Sequence, residues 1–252
     1  MKTVGIIPSR YASTRFPGKP MAMIKGKTMI HRVCEQAWMS GLDAVVVATD
    51  DMRIADEVLS LGGQYVLTDP NHPSGTDRCR EALDMLDTQY DAVVNIQGDE
   101  PFIDPRQINA LIDLMKQQDV EIASLAKRIG EEDALFSTNT VKVVMDKEGK
   151  ALYFSRNPIP FMRNVAREQW LEKGDFYQHI GIYAYKADTL RQIARMQPSR
   201  LELAESLEQL RWLENGLSIH MAVTDAVNVS IDTPADLVKA EQLALTQTLK
   251  EG

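Results

Sequence analysis

A run of cations follows the first apolar segment of the chain. Arg10, Arg15 and Lys19 lie within ten residues that contain no acid, and Ser13 adds a hydroxyl group between the two arginines. Arginine gives a phosphate a forked pair of donors and lysine gives it a point charge, so this stretch has the chemistry of a phosphate-binding loop. Prolines at positions 8, 17 and 20 exclude a continuous helix there. A solvated basic turn is the other interpretation that these residues allow.

Two aspartates have the chemistry to place a cation beside such phosphates. Asp99 follows an apolar run, within Gln97-Gly98-Asp99-Glu100-Pro101, and Asp232 precedes a predicted helix start at Thr233. Mg²⁺ in proteins prefers one or two carboxylates together with phosphate oxygens and water. The two aspartates are therefore candidate magnesium ligands, although a role in a turn or a helix cap also fits either of them.

Ser74 and His179 stand in two further polar stretches. Ser74-Gly75-Thr76-Asp77-Arg78 opens a predicted helix, where backbone amides beside a glycine bind anions, although Ser74 or Thr76 also fits a simple N-cap. His179 adjoins a predicted strand, and alone it fits a structural hydrogen bond as well as ligand binding. The sequence contains no nucleophile and base at a spacing that would indicate a covalent mechanism.

Charge and hydropathy restrict the partners of the chain. Its 252 residues carry a formal net charge of −8, which argues against a nucleic-acid partner. Residues 1–49 alone have a net charge of +5, and a positive region in an acidic protein suits a small polyanion. Since no apolar run reaches the ~18 residues of a membrane span, we expect no membrane association. Two cysteines, Cys34 and Cys79, fit the reduced thiols of a cytoplasmic protein.

Strands and helices are predicted to alternate up to about residue 120. The predicted strands cover apolar runs at 4–7, 44–50, 65–68 and 92–97, and the predicted helices cover amphipathic segments at 28–41, 51–61, 76–86 and 105–117. This alternation indicates a parallel sheet with helices on both faces. The loops after the four strands then meet at one edge of the sheet, where open α/β proteins bind ligands.

The pattern changes after residue 120. Strands are predicted at 121–128, 141–145, 151–154, 180–185 and 219–223. Helices are predicted at 187–196, at 201–214 and from 234 to about 248. Residues 156–174 are rich in proline, asparagine and charge with weak periodicity, and this segment is predicted to be an irregular excursion.

The loop from Ile7 to Pro20 closely resembles the signature loop of the 3-deoxy-manno-octulosonate (Kdo) cytidylyltransferases. Further blocks resemble the same family in the same order, so the resemblance covers nearly the whole chain. These blocks are Val47-Ala48-Thr49-Asp50, Ser74-Gly75-Thr76-Asp77-Arg78, Asn95-Ile96-Gln97-Gly98-Asp99-Glu100-Pro101, Val141-Lys142-Val143-Val144, Ala151-Leu152-Tyr153-Phe154-Ser155-Arg156, His179-Ile180-Gly181-Ile182-Tyr183, Leu207-Glu208-Gln209-Leu210-Arg211 and Ile231-Asp232-Thr233-Pro234-Ala235-Asp236-Leu237.

The resemblance implies a Rossmann-like nucleotide-diphospho-sugar transferase fold, with a mostly parallel central sheet and helices on both faces. It implies a single cytidylyltransferase domain over 1–252. Residues 1–120 and 200–252 would form its nucleotide-binding core, and about 121–199 a smaller sugar-binding and dimerisation lobe. The implied reaction joins CTP and Kdo to give CMP-Kdo and pyrophosphate with Mg²⁺ as cofactor, in a homodimer that serves lipopolysaccharide biosynthesis.

The resemblance also implies roles for single residues. Those that would bind CTP and its phosphates are Arg10, Ser13, Arg15 and Lys19, with Ser74 and Gln97 beside the cytidine. Asp99 and Asp232 would hold Mg²⁺. Those that would line the sugar-acid pocket are Arg156, His179, Tyr183, Glu208 and Gln209. Arg15, Lys19, Asp99 and Asp232 would carry the catalysis.

Two other functions remain open on the sequence. One is a cytidylyltransferase for a different sugar acid, such as sialic acid or an amino analogue of Kdo, and only the sugar-side blocks argue against it. The other is a non-catalytic nucleotide-binding protein that keeps the fold. The joint presence of Arg10, Lys19, Asp99 and Asp232 argues against that second alternative.

Overall fold

The computed structural model describes residues 1–12, 16–227 and 229–238. Contacts along the chain divide it into two compact units. The first consists of Met1–Asn109 and the segment that starts at Val227, and the second of Ala110–Ala226. The predicted boundaries of core and lobe, near residues 120 and 200, stay a prediction, because two compact units do not by themselves define domains.

The first unit alternates strands and helices. Its elements are β1 (Thr3–Ser9), β2 (Met23–Ile24), β3 (Lys27–Thr28), α1 (Met29–Trp38), β4 (Ala44–Thr49), α2 (Met52–Ser60), β5 (Gln64–Leu67), α3 (Gly75–Asp84) and β6 (Ala92–Asn95). The chain leaves this unit within α4 (Pro105–Met115). Strands β6, β1, β4 and β5 lie side by side in that order, and all three pairs are parallel. The predicted alternation and parallel pairing are confirmed, whereas the small antiparallel hairpin of β2 and β3 was not predicted.

Burial explains why these segments form a parallel sheet. In β1, Val4, Ile6 and Ile7 are fully buried, and the neighbouring strands β4 and β6 are almost entirely buried. Continuous apolar runs without alternation are typical of parallel strands that are covered on both faces. The helices begin at polar caps, since Thr28 accepts a hydrogen bond from the His31 amide and Ser74 one from the Asp77 amide. The carboxyl ends of β1 and β4 therefore meet at one edge, with Ser9 paired to Thr49.

The second unit is mainly antiparallel. Its elements are β7 (Ile122–Arg128), α5 (Glu132–Phe136), β8 (Lys142–Met145), β9 (Ala151–Ser155), α6 (Trp170–Lys173), β10 (Tyr177–Lys186), α7 (Ala187–Ile193), α8 (Arg200–Glu205), α9 (Gln209–Glu214) and β11 (Ile219–Val223). Strand β7 is parallel to β11 and antiparallel to β10. Strand β10 also pairs antiparallel with β8, which forms a hairpin with β9. The five predicted strands of this part are confirmed, and α5 is an addition to the prediction.

The prediction of one helix over 201–214 is wrong. Ser206 adopts a left-handed conformation with φ of 53°, which ends α8, and α9 starts three residues later. The two short helices are joined by a partly buried ion pair, in which Arg211 donates two hydrogen bonds to Glu202 at 2.7 and 2.5 Å. Glu202 also completes a capping box with Ser199 at the start of α8. The contacts between α8 and α9 thus stabilise a break at Ser206, although the amphipathic pattern of the sequence continues through it.

The segment 156–174 is less irregular than predicted, since it contains a short 3₁₀ helix (Arg167–Gln169) followed by α6. Its anchor is Trp170, which is 5% exposed and stacks on Phe176 with ring centroids 5.8 Å apart. The indole nitrogen donates to the Val165 carbonyl at 3.1 Å. The segment is therefore attached to a hydrophobic cluster of its own chain.

Residues 234–238 are helical, as predicted, and the rest of the helix predicted up to about 248 lies outside the described residues. Over the part of the chain that the structure describes, no helix has the length and hydropathy to cross a membrane.

A hydrophobic cluster ties the segment after residue 228 to the rest of the first unit. Ile24, Met29 and Ile231 are fully buried together, and Phe16 and Phe102 pack against them. We expect Ile231→Ala to lower the free energy of unfolding by about 2–4 kcal/mol, because it leaves a cavity in this cluster. Urea denaturation measures the loss. Val227→Ala, at a residue that is 66% exposed, is the matched control and should stay near the wild-type value. Equal stability of the two variants would contradict the role given to Ile231.

Candidate functional site

A polar pocket of about 350 Å³ opens in the first unit, beyond the carboxyl ends of β1 and β6. Six of the predicted nucleotide-side and metal residues lie in its lining, which brings together segments far apart in sequence. The lining consists of Pro8, Ser9, Arg10, Lys19, Pro20, His72, Pro73, Ser74, Gly75, Arg78, Gln97, Gly98, Asp99 and Asp232. The two remaining residues of the predicted set, Ser13 and Arg15, lie outside the described residues.

Two carboxylates converge on one ammonium group in this pocket. The Lys19 Nζ atom lies 2.7 Å from Asp99 Oδ2 and 3.4 Å from Asp232 Oδ1. Lys19 opens a short 3₁₀ helix (Lys19–Met21) that follows Gly18 in a left-handed conformation. The Ile231 amide donates to the Asp99 carbonyl at 3.0 Å, and this bond holds Asp232 beside Asp99. The arrangement is a partly buried, negatively charged pair with a cation against it.

The donor set fits Mg²⁺ on condition that a ligand supplies further oxygens. Asp99 and Asp232 offer two carboxylates, which is the number that Mg²⁺ uses when it also binds phosphate and water. Among the described residues, no group of three or more acidic, histidine or cysteine side chains could hold a metal without such help. The position of the Lys19 ammonium shows that the two carboxylates already favour positive charge between them.

The cationic loop is anchored at both of its ends. The Gly18 amide donates to the Tyr11 carbonyl at 3.0 Å, which closes the loop across the residues between them. The Tyr11 ring lies under the Arg53 guanidinium, 3.3 Å from its carbon to the ring centroid, and Asp51 holds Arg53 by hydrogen bonds. A side chain at position 18 would approach the Tyr11 hydroxyl to 3.0 Å, and φ there is 71°. Glycine is therefore required where the loop closes.

Gly98 allows the backbone after β6 to approach the end of β1. A Cβ atom at this position would lie 2.9 Å from the Pro8 carbonyl oxygen, closer than such atoms approach in proteins. The close approach places Gln97 and Asp99 on either side of it along the pocket wall. The sequence signal for this requirement was the glycine itself, inside the block that precedes Pro101.

Ser74 combines the two roles that its sequence allowed. Its hydroxyl caps α3 by accepting from the Asp77 amide at 3.1 Å, and it donates to the Asp77 carboxylate at 2.6 Å. The same residue lines the pocket, next to Gly75 at the start of the helix. The capping interpretation is confirmed, and contact with a nucleotide stays a prediction.

Sequence reasoning missed Arg78 and His72, which also line the pocket. Arg78 is 3% exposed and reaches Asp50 at 3.3 Å, while its other terminal nitrogen donates to the Thr68 hydroxyl. His72 contacts the Glu81 carboxylate through Nε2. Arg78 closes the block that starts at Ser74, which is a usable signal, whereas His72 stands in a loop without any pattern.

The residues predicted for the sugar side belong to the second unit. His179 and Tyr183 lie on β10, Arg156 follows β9, and Glu208 and Gln209 stand at the start of α9. Burial lowers the pKa of His179 to about 3 and, together with the charge of Glu208, raises that of Tyr183 well above its usual value. Both side chains are therefore neutral at pH 7, and their rings pack against each other with centroids 5.3 Å apart.

Arg156 is engaged with the backbone of its own unit. Its guanidinium donates to the carbonyls of Glu205, Thr138 and Ser206 at 2.7, 3.0 and 3.2 Å. Its own carbonyl accepts a hydrogen bond from Lys142. Arg156 thus holds the end of α8 in place, and its predicted contact with a sugar acid stays a prediction.

Lys142, which donates to the Arg156 carbonyl, is fully buried. It also donates to the carbonyls of Ser137 and Thr140 at 2.8 and 2.6 Å. Burial lowers its pKa, and the three carbonyl oxygens offset the loss of water around the charge.

Comparison with known proteins places these observations in a family. A family model described as Cytidylyltransferase matches residues 4–219. A 3-deoxy-manno-octulosonate cytidylyltransferase from Cytophaga hutchinsonii is 55% identical over 94% of this chain and 95% of the relative. A protein of the same name from Parabacteroides distasonis is 51% identical over 95% and 97% of the two chains.

Two solved structures are similar to this chain. A CMP:2-keto-3-deoxy-manno-octonic acid synthetase in complex with CTP superposes with a TM-score of 0.90 and 40% identity, over 98% of this chain and all of the other. This likeness confirms the predicted α/β fold. A 4-diphosphocytidyl-2C-methyl-D-erythritol synthase from Anaerococcus prevotii has a TM-score of 0.62 at 16% identity, over 97% and 96% of the two chains, and shows the fold alone.

The ion pair of Arg78 and Asp50 beside the pocket can be tested by measuring the stability of the protein. Arg78→Met leaves the Asp50 carboxylate, which is 11% exposed, without its cation. We expect the free energy of unfolding to fall by about 3–5 kcal/mol, because an uncompensated buried charge is costly. Adding Asp50→Asn should restore a large part of the loss in urea denaturation. A single variant within ~0.5 kcal/mol of the wild type would refute the pairing.

Proposed function

We propose that this chain, which belongs to the 3-deoxy-manno-octulosonate cytidylyltransferase family, transfers CMP from CTP to the anomeric hydroxyl of Kdo. The products are CMP-Kdo, a precursor for lipopolysaccharide, and pyrophosphate. The observation that carries the proposal is the pocket in which Lys19 lies between Asp99 and Asp232, with Arg10 and the start of α3 in the same lining. A polyphosphate with a metal ion is the ligand that this mixture of charges suits.

The reaction is an in-line displacement at the α-phosphorus of CTP. The anomeric oxygen forms a bond to this phosphorus while the bond to the β-phosphate bridge breaks, and the hydroxyl proton passes to solvent. Pyrophosphate leaves with the electron pair of the broken bond. The chain therefore needs no covalent intermediate, and its task is to orient two anions and to stabilise the charge that develops.

Lys19 and Arg10 would bind the phosphates, with Arg15 and Ser13 from the same loop. Asp99 and Asp232 hold the Lys19 ammonium by two of its three N–H groups, so the third can meet a phosphate oxygen. Asp99 and Asp232 would also hold Mg²⁺. When bound, Mg²⁺ neutralises phosphate oxygens and lowers the pKa of the attacking hydroxyl. Ser74 and Gln97 would contact the cytidine from the pocket wall.

The sugar acid would be bound by the second unit. His179 and Tyr183 are neutral, so they would meet hydroxyl groups, whereas Arg156 would attract the carboxylate. Glu208 and Gln209 would add polar groups from the start of α9. We also propose that the enzyme acts in the cytoplasm and that it is a homodimer. Sedimentation at micromolar concentration tests the homodimer.

Release of pyrophosphate from CTP tests the proposed reaction. The purified protein is assayed with Mg²⁺ and CTP against three acceptors: Kdo, sialic acid and none. We expect release with Kdo alone. Release only with sialic acid would displace Kdo as the substrate. The absence of release with every acceptor would favour a nucleotide-binding protein without catalysis.

Asp99→Asn tests the metal assignment. The variant keeps the size of the side chain but removes its charge, and we expect turnover to fall by ~10²-fold or more while the fold is retained. Steady-state kinetics with CTP and Kdo measure the effect, and circular dichroism checks the fold. Asp113→Asn, at an exposed aspartate of α4, is the matched control and should keep full turnover. Near-normal turnover of Asp99→Asn would refute the assignment.

A further inference from the structure

Ser124 lies in the interior of β7 and makes three short contacts with β10. Its hydroxyl oxygen is 2.8 Å from the Ile182 carbonyl, 3.2 Å from the Ile180 carbonyl and 3.0 Å from His179 Nε2. The residue is completely buried. The register of the two strands shifts at this point, between Ile180 and Tyr183, so a β-bulge places both carbonyls and the imidazole around one hydroxyl.

The proton count at this hydroxyl decides which nitrogen of His179 is protonated. A serine hydroxyl has one proton, and a carbonyl oxygen can only accept. A buried carbonyl 2.8 Å from an oxygen without a proton between them would be repelled, so the Ser124 proton points at Ile182. The Ser124 oxygen then accepts from His179, and Nε2 must carry the ring proton.

The surroundings of the ring keep it neutral. The imidazole meets the Phe154 ring edge-on at 5.0 Å and the Tyr183 ring at 5.3 Å. Burial lowers the pKa of His179 to about 3, so a second ring proton is absent at pH 7. With Nε2 protonated, Nδ1 is an acceptor, and across the described ranges no hydrogen-bonding group is directed at it. The ring thus packs among these side chains, while the residue as a whole keeps intermediate exposure.

We infer that Ser124 is a positioning residue that fixes His179 as the Nε2-protonated tautomer, so that Nδ1 accepts a hydrogen bond from a hydroxyl group of the sugar acid. The inference about the ligand rests on the proposed function, whereas the tautomer follows from the contacts of Ser124. A carboxylate oxygen and an unprotonated Nδ1 are both acceptors and cannot form a hydrogen bond with each other. The carboxylate of the sugar acid therefore binds elsewhere. Ser124 acts on the sugar through the imidazole and does not touch it.

Nitrogen NMR of the unliganded, ¹⁵N-labelled protein measures the tautomer without any catalysis. We expect the His179 signals, assigned by their loss in His179→Gln, to show a protonated Nε2 and an unprotonated Nδ1. A protonated Nδ1 in the wild-type protein would overturn the inference, whatever its enzymatic activity. The expected tautomer in a protein that releases no pyrophosphate with Kdo would instead refute the proposed function and the hydroxyl ligand with it.

Two variants of Ser124 test its effect on the sugar site. Ser124→Ala removes the acceptor of the Nε2 proton, and we expect a mixture of tautomers and a KM for Kdo that rises about tenfold, with the KM for CTP within twofold. Ser124→Thr keeps a hydroxyl and should restore the tautomer and most of the affinity for Kdo. Thr189→Val, which removes another buried hydroxyl of the second unit, is the matched control.

A purely structural role of Ser124 predicts a different pattern. In that case Ser124→Ala and Thr189→Val would lower thermal stability alike and leave the His179 tautomer unchanged. Parallel changes in the KM values for CTP and Kdo would equally contradict the inference. The wild-type spectrum remains decisive if a variant fails to fold.

Discussion

The contact of Lys19 with Asp99 and Asp232 is the interaction on which the candidate site depends. Two carboxylates so close to one another repel, and the ammonium between them offsets that repulsion. Such a pair is stable only if the backbone holds it, and here the Ile231 amide bonds directly to the Asp99 carbonyl. The fully buried Ile231 in turn attaches the segment to the hydrophobic cluster of the first unit. Apolar packing around Ile231 thus helps to hold the Asp232 carboxylate beside Asp99, where both carboxylates reach Lys19.

The two units carry different recognition chemistry. The pocket of the first unit is lined by cations and carboxylates, a mixture that suits a polyphosphate with a metal ion. Two of the residues predicted for the sugar side, His179 and Tyr183, pack against each other and against the rings of Phe154 and Trp212, and burial keeps both neutral. Neutral groups with fixed hydrogen-bond direction can distinguish hydroxyl patterns, whereas charge alone cannot.

Local pattern predicted the elements well and their interruptions poorly. The parallel strands of the first unit were predictable because each is a continuous apolar run, and burial on both faces leaves no other arrangement for it. The break between α8 and α9 was not predictable, since the apolar spacing continues through Ser206, and contacts that the sequence does not show, from Arg211 to Glu202 and from Arg156 to the Ser206 carbonyl, stabilise it. Similarly, one tryptophan orders the segment that composition indicated to be irregular.

The sequence by itself determined the alternation of strands and helices up to residue 120, the cationic loop, the acidic pair and the family to which the chain belongs. Each of these depends on residue type and spacing, and both are properties of the linear sequence. Only the tertiary structure decided that Arg78 and His72 enter the pocket and that Arg156 is bonded to backbone carbonyls. It also placed Ser124 at His179, 55 residues away along the chain. A proton on one ring nitrogen depends on distances of a few ångströms between strands, and spacing along a sequence contains no such distances.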